Sequence, residues 1–274
     1  MSIEWSDGGR MRFRARGAEL EGATFGPAPR EATTIVLLHE GLGSVDLWQD
    51  FPQRLVAATG LGVFAYSRQG YGKSDPARLP RPLDYMEREA IEVLPEVLST
   101  LDPRHVILLG HSDGASIAAL YLGARQDRRV RGLILMAPHF FTENMGLKAI
   151  AEARAAYGSA DLRQRLAKYH ADVDNAFRGW NDAWLDADFA DWNIEEAIDY
   201  IRVPVLAIQG RDDQYGTLAQ ITALQSRLYA PFEAVILANC RHAPFLDKPA
   251  ETLHAIAGFA ARLERIEAEE VMLR

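Results

Sequence analysis

The sequence contains little cysteine and no long apolar run. Cys240 is the single cysteine among 274 residues, so the chain cannot form an internal disulfide or a cysteine-based zinc site. Nowhere do about 18 consecutive apolar residues occur, and the first residues lack the apolar segment of a signal peptide. We therefore expect a cytoplasmic protein that does not use a membrane as a partner.

Positive charge is scarce relative to negative charge. The chain has 30 Lys and Arg against 38 Asp and Glu, which gives a net charge of -8, and its basic residues are spread out. Such a chain repels a phosphate backbone, so nucleic acid is not an expected partner. The sequence also lacks a phosphate loop, a dinucleotide-binding glycine fingerprint and a dense cluster of histidine and carboxylate residues. We expect no cofactor and no metal.

Short β-branched or leucine-rich runs alternate with longer segments of helical periodicity. The runs, which predict buried strands, cover 33–38, 62–66, 105–109, 132–136, 203–208 and 234–237. The helical segments cover 45–59, 85–101, 115–125, 218–229 and the chain from 249. This alternation predicts an α/β fold with a mostly parallel central sheet flanked by helices. Residues 11–25 instead alternate in polarity, with breaks at Arg16-Gly17 and Glu21-Gly22, which predicts an antiparallel hairpin leading into the sheet.

Residues 137–202 interrupt this rhythm. They carry helical periodicity and no convincing strand, so we predict a small helical cap inserted after the sixth strand, with residues 1–136 and 203–274 forming the core. Four large apolar residues share one helical face by steps of three and four. They either pack the cap onto the core or line an apolar substrate pocket: Val173, Phe177, Trp180 and Trp184.

The strongest motif is Gly110-His111-Ser112-Asp113-Gly114, which matches G-x-S-x-G between a predicted strand and a predicted helix. A nucleophilic serine must project from a sharp strand-to-helix turn, and the flanking glycines remove side chains that would clash there. The same pentapeptide also fits an alternative without catalysis, an ordinary glycine-bounded turn in which the serine caps the helix N-terminus. The position between strand and helix favours Ser112 as a nucleophile.

A serine hydroxyl needs a general base, and the base needs an acid to orient it. His242 lies in a loop after the last predicted strand, at the edge of the sheet where α/β folds place their binding crevices. Asp212 and Asp213 both follow the strand at 203–208 and are candidates for the acid. Four of the other six histidines lie in a strand, a helix or the insertion, without an evident route to Ser112: His105, His139, His170 and His254.

These motifs follow one another in the order serine, aspartate, histidine, and in this the sequence resembles the α/β-hydrolase superfamily. The resemblance covers nearly the whole chain outside the insertion. It favours Asp213, the fourth position of a G-x-x-D turn, over Asp212. The segment 37–44 is similar to the family's His-Gly loop, which implies that the N–H groups of Gly41 or Leu42, with Gly41 preferred, and of Asp113 form an oxyanion hole.

The sequence departs from the family at Glu40, which replaces a glycine of that loop. We expect a structural role for Glu40, as a partner for Arg68; a second base and a substrate-orienting group are the alternatives. The segment 66–74 is similar to a structural turn of the family, so we assign it no catalysis. The side chain of Asp113 is expected to face away from the oxyanion, near the helix N-terminus, where its charge is favourable.

The resemblance extends to enol-lactone hydrolases, hydrolases of ring-cleavage products and small carboxylesterases. It implies a serine hydrolase that cleaves small to medium carboxylic esters or lactones, its small-molecule partners, through an acyl-enzyme on Ser112. Carbon–carbon bond hydrolysis is the alternative; it needs polar groups for a dienol and a carboxylate, for which Arg68 and His39 are candidates. A non-catalytic ligand-binding protein is the second alternative. Dehalogenation would need an aspartate nucleophile. Because position 112 is serine, we do not expect that reaction.

Overall fold

The sheet has eight strands in this computed structural model, which describes residues 3–159 and 161–272. The strands are β1 (Gly9–Ala15), β2 (Ala18–Phe25), β3 (Thr34–Leu38), β4 (Gly62–Tyr66), β5 (Val106–His111), β6 (Val130–Met136), β7 (Val205–Gly210) and β8 (Phe232–Leu237). Their order across the sheet is β1-β2-β4-β3-β5-β6-β7-β8. Strands β1 and β2 are antiparallel to their neighbours, and all remaining pairs are parallel.

Helices connect the parallel strands and cover both faces of the sheet, which is why the central strands are buried along their whole length. The helices are α1 (Phe51–Thr59), α2 (Tyr85–Arg88), α3 (Leu94–Leu101), α4 (Asp113–Ala124), α5 (Asn144–Gly158), α6 (Asp161–Leu166), α7 (Val173–Trp184), α8 (Ala219–Arg227), α9 (Pro244–Asp247) and α10 (Pro249–Met272). A π-helical stretch, Glu89–Val93, joins α2 to α3. The predicted α/β-hydrolase fold is confirmed.

The first hairpin turns at Arg16 and Gly17, where both residues have positive φ angles of 48° and 78°. This is the geometry of the tight turns that suit the twist of two antiparallel strands. The second predicted break, at Glu21-Gly22, is wrong because both residues lie inside β2. Gly22 leaves room for the rings of Phe13 and Phe64, each of which would be 3.2 Å from an added Cβ.

The segment between β6 and β7 is helical. It contains α5, α6, α7 and two 3-10 turns, Ala187–Phe189 and Glu195–Tyr200, and the bridge between Phe141 and Asn193 is its one strand-like contact among the described residues. The second 3-10 turn packs on α4, because a Cβ added at Gly123 would lie 2.8 Å from Ala197. The division into a core and a cap at residues 137 and 202 remains a prediction.

The contact between α4 and Glu195–Tyr200 can be tested at Gly123. Because an added Cβ would lie 2.8 Å from both the Cβ and the carbonyl oxygen of Ala197, the backbones must separate to admit it. We expect Gly123→Ala to lower the free energy of unfolding by about 1–3 kcal/mol, the usual cost of overpacking. Equilibrium unfolding in urea measures the change.

Gly158 provides the matched control, because it also lies in a helix and an added Cβ would have no atom within 4 Å. Gly158→Ala should leave stability unchanged or raise it by up to about 1 kcal/mol through its better helix propensity. Equal effects of the two substitutions would contradict the tight contact at Gly123.

Candidate active site

Ser112 lies in a strained turn between β5 and α4. Its backbone has φ 53° and ψ -119°. Residues other than glycine rarely adopt this conformation, and where they do, it is typical of functional sites. The turn closes only because two glycines flank it. A Cβ at Gly110 would lie 2.3 Å from the carbonyl oxygen of Gly114, and a Cβ at Gly114 would lie 2.0 Å from that of Leu38.

His242 contacts Asp213 and not Asp212. The Nδ1 atom of His242 lies 2.8 Å from Oδ2 and 2.9 Å from Oδ1 of Asp213, whereas Asp212 is exposed. Gln209 Nε2 and the N–H of Tyr215 each donate to the Asp213 carboxylate at 2.8 Å. Burial raises the pKa of Asp213, but the hydrogen bond and charge of His242 outweigh burial and leave this pKa below its usual value. The carboxylate is therefore ionised at neutral pH.

Ser112 and His242 line one cavity, at the edge of the sheet where the parallel strands end. The loops after β3, β5, β6, β7 and β8 all contribute to it, as expected for a binding crevice in an α/β fold. Its atom-free space is about 540 Å3, including open solvent at the mouth. The lining residues are Glu40, Gly41, Leu42, Ser112, Asp113, His139, Glu143, Gly146, Ile150, Trp180, Trp184, Tyr215 and His242.

The loop after β3 is held by the carbonyl oxygen of Glu40. This oxygen accepts hydrogen bonds from Arg68 Nη2 at 3.0 Å, from His39 Nδ1 at 2.7 Å and from the N–H of Gly43 at 3.0 Å. In a planar trans peptide the N–H points opposite to the carbonyl, so these contacts also fix the direction of the Gly41 N–H. Gly41 and Asp113, whose N–H groups the sequence assigned to an oxyanion hole, both line the cavity. That assignment remains a prediction.

Arg68 and His39 are buried supports of this loop. The Arg68 guanidinium is fully buried and donates to the carbonyl oxygens of His39 and Glu40, while His39 Nε2 accepts from the Arg68 N–H at 3.0 Å. Burial, followed by the charge of Arg68, lowers the pKa of His39 well below its usual value. Neither side chain lines the cavity, so neither occupies the substrate-binding position for which it was a candidate.

Glu40 contacts Arg68 only through its backbone. Its carboxylate Oε2 lies 3.4 Å from Nδ1 of His111 instead. The other ring nitrogen of His111, Nε2, lies 2.7 Å from the carbonyl oxygen of His242. Sequence analysis did not single out His111, although it is the residue before Ser112.

The side chain of Asp113 is buried, with partners that the sequence did not suggest. Its Oδ2 accepts a hydrogen bond from the Tyr85 hydroxyl at 2.5 Å and lies 3.9 Å from Arg68 Nη2. Trp184 Nε1 donates to the same Tyr85 hydroxyl at 3.0 Å. Burial raises the pKa of Asp113, and the charge of Arg68 offsets only part of this rise.

His139 reaches the site, contrary to the expectation from sequence. It lines the cavity, and its ring centroid is 5.6 Å from that of His242. It follows β6, so it lies at the same sheet edge as the other site residues; this position was the signal that could have found it. Burial, followed by the charge of His242, lowers the pKa of His139 to about 3.

The apolar face of α7 serves both of the roles proposed for it. Trp180 and Trp184 line the cavity. Phe177 instead stacks on Tyr157, with ring centroids 3.7 Å apart, and Val173 is buried. One half of the face therefore packs within the helical segment while the other half borders the site.

The turn between β4 and α2 has structural contacts. Ser67 Oγ donates to Glu21 Oε2 at 2.8 Å and accepts from the N–H of Val45 at 2.9 Å. Gly72 has a φ of 57°.

Within residues 3–159 and 161–272, no group of three or more histidine, cysteine or acidic residues is arranged to hold a metal ion. In the same part of the chain, no helix is long and apolar enough to cross a membrane.

Known proteins share this arrangement of strands and turns. A sequence profile of the alpha/beta hydrolase family matches residues 35–255. The chain belongs to the α/β hydrolase family. This confirms the family predicted from the motifs and supports an enzyme of the hydrolase type.

The sequence identity between this chain and individual known proteins is low. The chain is 33% identical to human 1-acylglycerol-3-phosphate O-acyltransferase ABHD5 over 116 residues, 42% of this chain and 32% of that protein. It thus spans about a third (32%) of the length of these acyltransferase relatives. It is 26% identical to the non-heme chloroperoxidase of Streptomyces lividans over 245 residues, 77% of this chain and 82% of that protein. The esterase EaEST from Exiguobacterium antarcticum has a similar fold, with a TM-score of 0.73, 19% identity and coverage of 91% and 98% of the two chains.

The low pKa of His139 predicts that its ring stays neutral in the physiological range. An ordinary histidine changes charge between about pH 5 and pH 8, whereas His139 should remain unprotonated until the pH approaches about 3. Nitrogen-15 NMR of the imidazole rings, with a His139→Gln variant to assign the signals, measures this. A titration of His139 near its ordinary value would show that the ring is accessible to water.

Proposed function

We propose that this α/β hydrolase is a serine hydrolase that cleaves small to medium carboxylic esters or lactones. Ser112 is the nucleophile, His242 the general base and Asp213 the acid that orients the base. The observation that carries the proposal is that His242, which is paired with Asp213, borders the same cavity as a serine in a strained strand-to-helix turn.

The proposed reaction uses these three residues, two backbone N–H groups and water. His242 Nε2 takes the proton of the Ser112 hydroxyl as Oγ attacks the carbonyl carbon. The negative charge that develops on the carbonyl oxygen is stabilised by the N–H groups of Gly41 and Asp113. His242 then gives its proton to the leaving alkoxide, which departs as an alcohol or, from a lactone, stays attached to the acyl group. Water activated by His242 cleaves the acyl-enzyme and regenerates the serine.

The chemistry of the cavity favours ester or lactone cleavage over carbon–carbon hydrolysis. Ile150, Trp180 and Trp184 supply apolar walls, while the charged side chains that line the cavity are carboxylates or belong to the proposed base. No lysine or arginine is among the lining residues in the described part of the chain. A ring-cleavage product with a carboxylate would therefore enter a site that lacks a positive partner for it, which is costly when the group is desolvated.

The segment 137–202 supports the proposed cap role. Helix α5 contributes Gly146 and Ile150 to the cavity, and α7 contributes Trp180 and Trp184. A Cβ added at Gly41 would lie 2.2 Å from the Trp180 ring, so the indole lies directly on the loop that carries a proposed oxyanion donor. We propose that this segment sets the size of the acyl group that the site accepts.

Substitution of the nucleophile tests the proposal directly. Ser112→Ala should reduce kcat on p-nitrophenyl esters or simple lactones to background, a loss on the order of 10⁶-fold, since the members of a triad act as a unit. Turnover is measured across a series of increasing acyl length. Ser99→Ala, at an exposed position of α3, is the control and should retain wild-type activity. Full activity of Ser112→Ala would exclude the mechanism.

Substitution of each of the two neighbouring aspartates shows which one is the acid that orients His242. Asp213→Asn should cost on the order of 10⁴ in kcat, because the amide no longer fixes the reactive tautomer of His242. Asp212→Asn is the matched control; because Asp212 is exposed, it should stay within about threefold of wild type. Stopped-flow or steady-state kcat measures both, and a reversed pattern would assign the acid to Asp212.

A further inference from the structure

We infer that Glu40 and His111 form a second acid–histidine pair that positions the general base His242. The inference rests on the proposed function, since it concerns the same base. It assigns a role to the glutamate that replaces a glycine of the oxyanion loop and to the histidine that precedes the nucleophile. Both are positioning residues: they act on the reaction through His242.

The contacts of His111 favour its doubly protonated form, the imidazolium. Its ring is buried, with 3% of the side chain exposed, and its two nitrogens face two acceptors. Nε2 lies 2.7 Å from the carbonyl oxygen of His242, and Nδ1 lies 3.4 Å from the Glu40 carboxylate. A carbonyl and a carboxylate can only accept, so both nitrogens donate when His111 is an imidazolium. The distance of 3.4 Å is long for a hydrogen bond, so attraction between charges contributes much of this contact.

The charged groups around the ring support the ionised pair. Burial lowers the pKa of His111, but the hydrogen bond and charge of Glu40, the His242 carbonyl and the charge of Asp213 outweigh burial and raise this pKa above its usual value. Burial raises the pKa of Glu40, and the hydrogen bond and charge of His111 reverse that effect and lower it. His139 also faces this group but stays neutral, since its pKa is about 3.

The pair joins the three loops on which the proposed chemistry depends. Glu40 precedes Gly41, His111 precedes Ser112, and the acceptor of His111 is the backbone of His242 itself. Asp213 holds the ring of His242 at Nδ1, while His111 holds its main chain. His242 is therefore held at its ring and at its main chain, which limits movement of the imidazole within the cavity that Ser112 also lines.

Packing keeps the second pair in place. Phe245 meets the His111 ring edge to face, with centroids 5.5 Å apart, and Trp48 lies 6.3 Å away. Gly43 makes room for the glutamate, because a Cβ there would lie 2.6 Å from Glu40 Oε2. The carboxylate therefore has a defined position against the loop backbone.

The positive charge of His111 also protects the oxyanion. Glu40 lines the cavity beside Gly41, and an unpaired carboxylate there would oppose the negative charge that develops on the substrate oxygen. The imidazolium compensates that charge. This explains how a glutamate can occupy the position where the family loop has a glycine.

Loss of the proton from His111 should weaken the hold of the Glu40–His111 pair on His242. A neutral imidazole has one N–H, so one of its two acceptors loses its donor. Because the pKa of His111 is raised, the pair persists to higher pH than an ordinary histidine would allow, and it is lost as the pH rises through that raised value. We expect kcat to fall on this alkaline limb, and the limb to move to lower pH when Glu40 loses its charge.

A double-mutant cycle with Glu40→Gln and His111→Asn tests the inference. Each substitution should lower kcat by between about tenfold and about 100-fold, the cost of a slightly misplaced catalytic group, with KM within about twofold. The double variant should be no worse than either single variant, because the two residues act as a unit. NMR of the imidazole rings should show His111 titrating at lower pH in Glu40→Gln.

Glu267 and His105 provide a matched control pair. Glu267 Oε2 lies 3.7 Å from His105 Nδ1, and His105 precedes β5, at the opposite edge of the sheet from Ser112. Glu267→Gln should leave kcat and its pH profile unchanged. Circular dichroism establishes that each variant is folded; if His111→Asn does not fold, Glu40→Gln and its pH profile decide the question alone.

Three outcomes would overturn the inference. They are a Glu40→Gln variant with wild-type kcat, multiplicative losses in the double variant, and a raised KM at unchanged kcat, which would make Glu40 a substrate contact. If Ser112→Ala abolishes turnover while one of these is observed, only the positioning role fails. If Ser112→Ala remains active, the proposed function fails, and the titration of His111 still tests the contact with Glu40.

Discussion

The close approach of α4 to the loop after β3 is the constraint on which the rest of the site depends. It is so tight that a Cβ at Gly114 would lie 2.0 Å from the carbonyl oxygen of Leu38 and 2.8 Å from that of His39. Only this approach allows Ser112 to project from a turn with φ 53° while Gly41 and Asp113 line the same cavity. A turn of this kind costs on the order of 1–3 kcal/mol and persists when the surrounding packing over-determines it. Here the parallel strands β3 and β5, paired from Thr34 to Leu38, supply that packing.

A buried arginine completes the constraint from the other side. Arg68 is fully buried, grips the carbonyl oxygens of His39 and Glu40, and lies beside the carboxylate of Asp113. Burying a charge is expensive unless hydrogen bonds and an opposite charge compensate it. Not every polar atom is satisfied: within the described residues Arg68 Nε and Asp113 Oδ1 have no hydrogen-bond partner. A buried ion pair is weak evidence for stability, but the contacts of Arg68 fix one arrangement of the loop after β3 and the turn at Ser112 relative to each other.

The sequence predicted most of the fold because buried parallel strands appear as short β-branched runs. The run 62–66 coincides with β4, and the glycines around Ser112 correctly placed the strand-to-helix turn. The contacts of the site were harder to predict because they join distant parts of the chain. Tyr85 is 28 residues from Asp113, and His111 is 131 residues from the carbonyl that it contacts. A glycine inside β2 was misread as a break, since the space that it leaves for Phe13 and Phe64 exists only once the strands pair.

The second acid–histidine pair is built from the chain neighbours of two residues that line the cavity. Glu40 and Gly41 are adjacent, as are His111 and Ser112, and the two pairs meet at His242. Ser112 borders the cavity while His111 is buried next to it, and Glu40 and Gly41 both line the cavity. A change in the Glu40–His111 pair therefore reaches His242 through the one contact between His111 Nε2 and the His242 carbonyl oxygen. The contact between Glu40 and His111 makes their identities depend on each other. In the proposed arrangement, the carboxylate needs the imidazolium beside the proposed oxyanion site, and the buried imidazolium needs the carboxylate to keep its charge.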